Sequence, residues 1–327
     1  MDLIESCKVK CRSAPKKIVF ADAMDTRILR AANRLKSEGL ANPVLLGNPF
    51  ALRDYSQKNS LFTPCLSIVD PLHSGYLDSY ATGFKNSLAD DSVSEEKARE
   101  LMGNPLFYGA MMVNMGHADV CVAGNLSTTG DVIRAALKVI GLAEQRKTLS
   151  SFFMMLSEDR KQLRVFSDAA VVPLPTVEQL ADITIDAAQS FERLTNEKAR
   201  IAMLSFSTKG SSSHPAAQNM REAYELVRSK APDLLVDGEL QLDAAIVPDV
   251  ANKKAPNSPL QGNSNVLVFP TLDAGNISYK LAQRMCNYEA LGPLFQGLKK
   301  PMHDLSRGCS VDEVIEIAVL ASCLIEQ

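Results

Sequence analysis

Strand-like and helix-like segments alternate along this chain almost from end to end, and that alternation leaves few folds open. Lys17 to Ala21 reads as a buried strand, Thr26 to Glu38 repeats apolar residues at helical spacing, and Val44 to Gly47 reads as a second strand. That is a βαβ unit. Ile68 to Asp70, Ala118 to Gly124, Val165 to Asp168, Ile201 to Phe206 and Val266 to Phe269 read as further strands. Helical patterns over Thr129 to Val139, Val177 to Arg193 and Ala216 to Lys230 lie between them. Strands separated by helices predict an α/β fold with parallel-rich sheets. The polar stretch Phe84 to Lys97 reads as a loop-like insertion, and a boundary is expected near Gly141 to Thr148.

Length and composition exclude several classes. A chain of 327 residues is long for one core, so two domains are expected. A formal charge of −3, with no long Lys/Arg run, gives no field for nucleic acid. No apolar run is long enough to span a bilayer, and Met1 to Pro15 lacks the apolar core of a signal peptide. The seven cysteines form a dispersed set with no CxxC, which argues against a disulfide framework or a zinc knuckle and suits a reducing cytoplasm. No HxH, HExxH or carboxylate set at ligand spacing appears, so no metal is expected.

In open α/β sheets, chemistry gathers in the loops after strands. Four segments there combine hydroxyls, glycine and a basic residue. Gly124 to Asp131 precedes Arg134, with Thr128 and Asp131 at capping-box spacing; an anion site and a plain capped helix fit it equally. Ser205 to Ser213, with Ser207 and Thr208, reads as a phosphate cradle or as a solvated loop, and it lacks the P-loop pattern. Pro270 to Lys280 leads to Arg284. With Asn276 as helix cap, Asn276, Lys280 and Arg284 share one face, and two cations there favour an anion between them. His303 to Glu313 carries Ser306, Arg307, Cys309, Asp312 and Glu313 within eleven residues. Arginine offers a fork of donors for phosphate or an oxyanion, and a nearby carboxylate can take a proton. Ser310 to Glu313 is equally a capping box, and Cys309 reads as a small core thiol.

These segments, with Asn104 to Gly109, Met111 to Val113, Val236 to Glu239, Phe269 to Arg284, Gly292-Pro293, Gln296-Gly297 and Lys300-Pro301, resemble the phosphate acetyl/butyryl transferase family over nearly the whole chain. The resemblance implies exchange of an acetyl group between CoA and phosphate, by direct attack in a ternary complex without an acyl-enzyme. A propionyl or butyryl preference, or a non-catalytic module of the same fold, are the alternatives. It also implies a cytoplasmic homodimer, CoA and acetyl-CoA as substrates, and no tightly bound cofactor. The implied architecture has two α/β domains like those of the isocitrate and isopropylmalate dehydrogenases, with the active site in the interdomain cleft. The first domain would comprise residues 1–147 plus 298–327, and the inserted one residues 148–297.

Carried over by position, Arg307 would bind phosphate and Ser306 would hydrogen-bond the thiol or oxyanion. Arg284 matches an arginine of the cleft and Arg134 one associated with CoA. Ser127, Thr128, Thr129, Ser205, Ser207 and Thr208 would supply hydroxyl and backbone donors, with Asn276, Tyr279 and Lys280 beside Arg284. Two departures stand out. Where the family usually has an aspartate base this chain has Glu313, preceded by Asp312; either Glu313 reaches the thiol, or Asp312 substitutes, or Glu313 is only a cap. A CoA-contacting arginine is missing near residues 80–90, where Lys85 is a poor substitute.

Overall fold

The computed structural model describes residues 3–61, 65–88 and 93–325. The chain divides into two compact units, Met1–Ala143 with Leu298–Gln327, and Glu144–Gly297. The first unit runs α1 (Leu3–Ser13), β1 (Lys16–Phe20), α2 (Thr26–Ser37), β2 (Ala41–Leu46), α3 (Pro49–Lys58), β3 (Ser67–Val69), α4 (Leu77–Ser87), α5 (Glu95–Met102), α6 (Pro105–Asn114), β4 (Val120–Ala123) and α7 (Thr129–Ala135). The second runs β5 (Ser150–Leu156), β6 (Leu163–Ser167), α8 (Val177–Thr195), β7 (Arg200–Leu204), α9 (Pro215–Lys230), β8 (Leu235–Leu240), α10 (Leu242–Ile246), α11 (Pro248–Lys254), β9 (Val266–Val268), α12 (Leu272–Met285) and β10 (Glu289–Gln296). The chain then re-enters the first unit as β11 (Met302–Asp304) and α13 (Val311–Leu324).

The first unit holds a five-stranded sheet in the order β11-β4-β1-β2-β3, with every pairing parallel. Its central strands are apolar on both faces: Ile18, Val19 and Phe20 of β1 and all of β4 are buried. Such strands need helices on both sides. α2 turns Ile28, Leu29, Ala31, Ala32 and Leu35 inward, and α13 packs against α1 and α2 with most of its residues buried. From β1 the chain winds outward through β2 and β3, then crosses back to place β4 on β1's other side. The β1–β4 boundary is therefore the topological switch point, where loops at the carboxyl ends diverge and leave a crevice.

The second unit has a six-stranded sheet in the order β10-β5-β6-β9-β7-β8. Pairings among β6, β9, β7 and β8 are parallel, whereas β10–β5 and β5–β6 are antiparallel. The sheets are thus parallel-rich, with one antiparallel side that a pure βαβ reading does not foresee.

Two local expectations fail. Phe84 to Lys97 is not a loop throughout: its first residues finish α4 and Glu95 opens α5, capped by Ser94 accepting from Lys97 N at 3.1 Å. Positions 89–92 of that stretch lie outside the described residues. Asn276 does not cap α12. Thr271 does, and Asn276 lies inside the helix, its Nδ2 donating to the Ala169 carbonyl at 3.1 Å. This bond holds α12 so close to the 168–169 turn that a Cβ on Gly275 would fall on the Asp168 carbonyl oxygen. Gly275→Ala is expected to cost roughly 1–3 kcal/mol of stability as backbone is forced apart; an unchanged denaturation midpoint contradicts this packing.

Candidate active site

Three loops meet at the carboxyl ends of β1, β4 and β11, and two carboxylates after β1 organise them. Asp22 draws in the β4 loop, accepting from Gly124 N at 2.8 Å, Leu126 N at 3.3 Å, Ser127 N at 3.0 Å and Ser127 Oγ at 2.6 Å. The turn requires glycine at 124, where φ is +103° and a Cβ would strike Asp304 and the Leu305 backbone. Asp25 caps α2, accepting from Arg27 N at 2.8 Å, and takes the Arg27 guanidinium at 2.6 Å. Burial works against the Asp25 carboxylate, but bonds from Arg27 and Asn125 outweigh it and hold its pKa below the ordinary value.

Arg27 in turn reaches the β11 loop. Its Nη1 donates to the carbonyls of Arg307 and Cys309, each at 2.8 Å, and its Nη2 to that of Asn125 at 3.3 Å. The segment carrying Ser306 and Arg307 is therefore held through its backbone. Both side chains stay exposed, and Arg307 has no carboxylate partner among the described residues. By contrast Arg34 pairs with Asp312 at 2.5 Å and Arg134 with Asp131 at 2.5 Å. A guanidinium left without an internal counter-ion is set up to take an external anion.

The two carboxylates of the opening turn of α13 have separate fates. Glu313 closes the capping box, its Oε2 accepting from Ser310 N at 2.6 Å while Ser310 Oγ accepts from Glu313 N at 3.1 Å. Asp312 is exposed and spent on Arg34. Cys309 is buried, and burial pushes its thiol up, so it stays protonated. His303 is buried in β11, where desolvation drives its pKa down to about 3 and keeps it neutral.

Asp304 is the titratable group that sequence reasoning missed here. It ends β11 and is buried, and its Oδ2 accepts from Thr129 Oγ1 at 2.6 Å. Burial pushes its pKa up from 3.8 to about 6, with Thr129 opposing and the Asp22 charge adding to the rise. Asp22, Asp25 and Arg27 were missed as well; an acid directly after a buried strand is the only trace they leave in the sequence. Of the predicted donors, Ser127 is committed to Asp22, Thr129 to Asp304, and Thr128 caps α7 through Asp131 N at 3.2 Å.

In the second unit the loop after β7 is ordered around a buried carboxylate rather than solvated. Glu239 accepts from Ser207 Oγ at 2.7 Å, Gly210 N at 2.9 Å and Arg221 Nη1 at 2.9 Å. Burial disfavours its charge, and the bonds from Ser207 and Gly210 lower its pKa in spite of that. Thr208 Oγ1 accepts from Gln241 N at 3.0 Å, and Ser205 Oγ from Ser207 N at 3.2 Å. These hydroxyls hold the loop's shape. On α12, Tyr279 stacks on Phe153 with centroids 4.1 Å apart, while Lys280 and Arg284 are exposed.

A parallel sheet with hydroxyl-rich loops and an unpaired arginine beside its switch point is the build of an α/β enzyme that handles anions. The chain belongs to the phosphate acetyl/butaryl transferase family, whose model matches residues 2–322; it is an acyltransferase. A phosphate acetyltransferase from Thermoanaerobacterium thermosaccharolyticum is 41% identical over 321 residues, covering 97% of both chains. A phosphotransacetylase structure from Streptococcus pyogenes superposes with a TM-score of 0.94 at 37% identity, covering 98% of this chain and 97% of that one. One from Staphylococcus aureus gives 0.91 at the same identity and coverage.

The raised Asp304 pKa has a consequence for stability. The fold prefers the protonated carboxyl, so its ionisation weakens the fold as pH rises from 3.8 to about 6, a loss absent below that window. Asp304→Asn, which cannot ionise, should gain on the unaltered chain across this interval. Paired thermal melts whose difference stays flat with pH rule the effect out.

Proposed function

We propose that the chain catalyses reversible acetyl transfer between coenzyme A and inorganic phosphate, acetyl-CoA plus phosphate giving acetyl phosphate plus CoA. Family membership supports this reading, and the observation that carries it is the exposed Arg307 guanidinium in a loop latched by Arg27. Phosphate, or the phosphoryl group of acetyl phosphate, binds Arg307 as a bidentate partner. In the direction of acetyl-CoA synthesis the CoA thiol loses its proton and attacks the acetyl carbonyl. A tetrahedral oxyanion forms and phosphate leaves, with no acyl group passing to the protein. The Ser306 hydroxyl donates to the oxyanion or the attacking sulfur, and Arg307 offsets the developing charge.

Glu313 is the base in this scheme. Asp312 is held by Arg34, whereas Glu313 uses one carboxylate oxygen on Ser310 and keeps the other. Arg134 is assigned to a CoA phosphate, with Asp131 as its resting partner. Ser127, Thr128 and Thr129 shape the adjoining loop, and on the second unit Ser205, Ser207 and Thr208, with Asn276, Tyr279, Lys280 and Arg284, are the remaining substrate contacts we assign. The reading includes a cytoplasmic homodimer without a tightly bound cofactor.

Incubation with acetyl-CoA and phosphate should release free thiol and form acetyl phosphate; thiol release that ignores phosphate ends the proposal. Arg307→Ala should lower kcat by about 10²- to 10³-fold, as loss of a preorganised oxyanion donor does. Glu313→Gln separates cap from base, because glutamine also closes a capping box. We expect its stability to be retained and its kcat to fall roughly 10²-fold, with Asp312→Ala near full turnover. The opposite pattern transfers the role to Asp312.

A further inference from the structure

Three thiols of the first unit have no part in the chemistry above. Cys7 and Cys11 lie one turn apart on the same face of α1, and both are buried. Cys323 occupies the last turn of α13, which packs against α1, and it is half-buried. Its Sγ donates to the Cys7 carbonyl at 3.7 Å, and Cys11 Sγ donates to the Val319 carbonyl at 3.7 Å. The thiols of Cys7, Cys11 and Cys323 thus share the seam between α1 and α13. Among the described residues, no group of three or more His, Cys, Asp or Glu is arranged to hold a metal ion. The chemistry open to these sulfurs is with one another.

We infer that Cys323 and a thiol of α1 form a reversible disulfide, a redox modification site that staples the two ends of the chain. Cys323 is the reactive partner because it is the accessible one of the three. With hydrogen peroxide as oxidant, the Cys323 thiolate attacks one peroxide oxygen, giving a sulfenic acid and, after protonation, one water. The α1 thiol then attacks that sulfur, the S–S bond forms, and a second water leaves. Two thiols are oxidised by two electrons and one peroxide is reduced to two waters.

The unit that benefits is built from two pieces of chain far apart in sequence, Met1–Ala143 and Leu298–Gln327. Cys7 and Cys323 are separated by 316 positions, so the link closes a very long loop. In the chain-entropy account, long loops gain most from a cross-link, through the unfolded state.

The test uses the full chain treated with near-stoichiometric hydrogen peroxide, blocked with iodoacetamide, digested and weighed. The expected product is an α1 peptide joined to the α13 peptide through Cys7 or Cys11, lighter than their sum by two hydrogens and split by dithiothreitol. The oxidised protein should melt roughly 5 °C higher or more, reversibly on reduction. Cys323→Ser should lose both effects. Complete alkylation of Cys323 after oxidation, or cross-links confined to the exposed Cys65 and Cys286, overturns the inference. A cross-link with no change in melting overturns the staple. Because the peptide mapping uses the unaltered chain, poor folding of Cys323→Ser would not obscure the answer.

Discussion

The Arg27 guanidinium is the interaction on which the first unit's site depends. It binds Asp25, the cap of its own helix, and reaches carbonyls that lie 98 and 280 positions away along the chain. A partly buried charge is costly unless its donors are used, and here Asp25 and three carbonyls use them. Removing the side chain would leave Asp25 without its counter-ion and release the carbonyls of Asn125, Arg307 and Cys309 together. The loops after β1, β4 and β11 have no sequence neighbourhood in common, so this node gives them a shared geometry.

Around that node two acids divide the work. Asp22 gathers four hydrogen bonds and sets the path of Gly124 to Ser127. Asp304 has one side-chain donor, Thr129, and sits dry enough for its pKa to climb. With Asp22 and Asp25 engaged inward, and Asp312 on Arg34, no described carboxylate neutralises Arg307. The cation that faces outward is left over because the acids are already committed.

Much of the fold was legible because its signals are local. Runs such as Lys17 to Ala21 and the periodicity of Thr26 to Glu38 announce a strand and a helix within their own residues. The same holds for the caps Thr128 and Ser310, whose spacing to Asp131 and Glu313 is a property of one turn. Other elements hid their character. β8 carries buried Asp237 and Glu239, and β11 is only Met302, His303 and Asp304, so neither shows an apolar run. Asn276 read as a cap, yet its amide serves a carbonyl more than a hundred positions earlier. Ser207 and Thr208 read as free donors, yet Ser207 donates to a buried glutamate and Thr208 to the Gln241 side-chain carbonyl.

The sequence alone determined that this chain alternates strands and helices, which loops carry hydroxyls and arginines, and which family the ordered series of motifs belongs to. Those are matters of residue type and short spacing. Only the tertiary structure decided which charges are spent. Asp22, Asp25 and Asp304 acquire their roles from β4 and β11 loops brought beside β1, and the Cys323 thiol acquires its neighbours from a helix at the other end of the chain. Burial and pairing set the energy of a charged or nucleophilic group, and both depend on partners that lie far away along the chain.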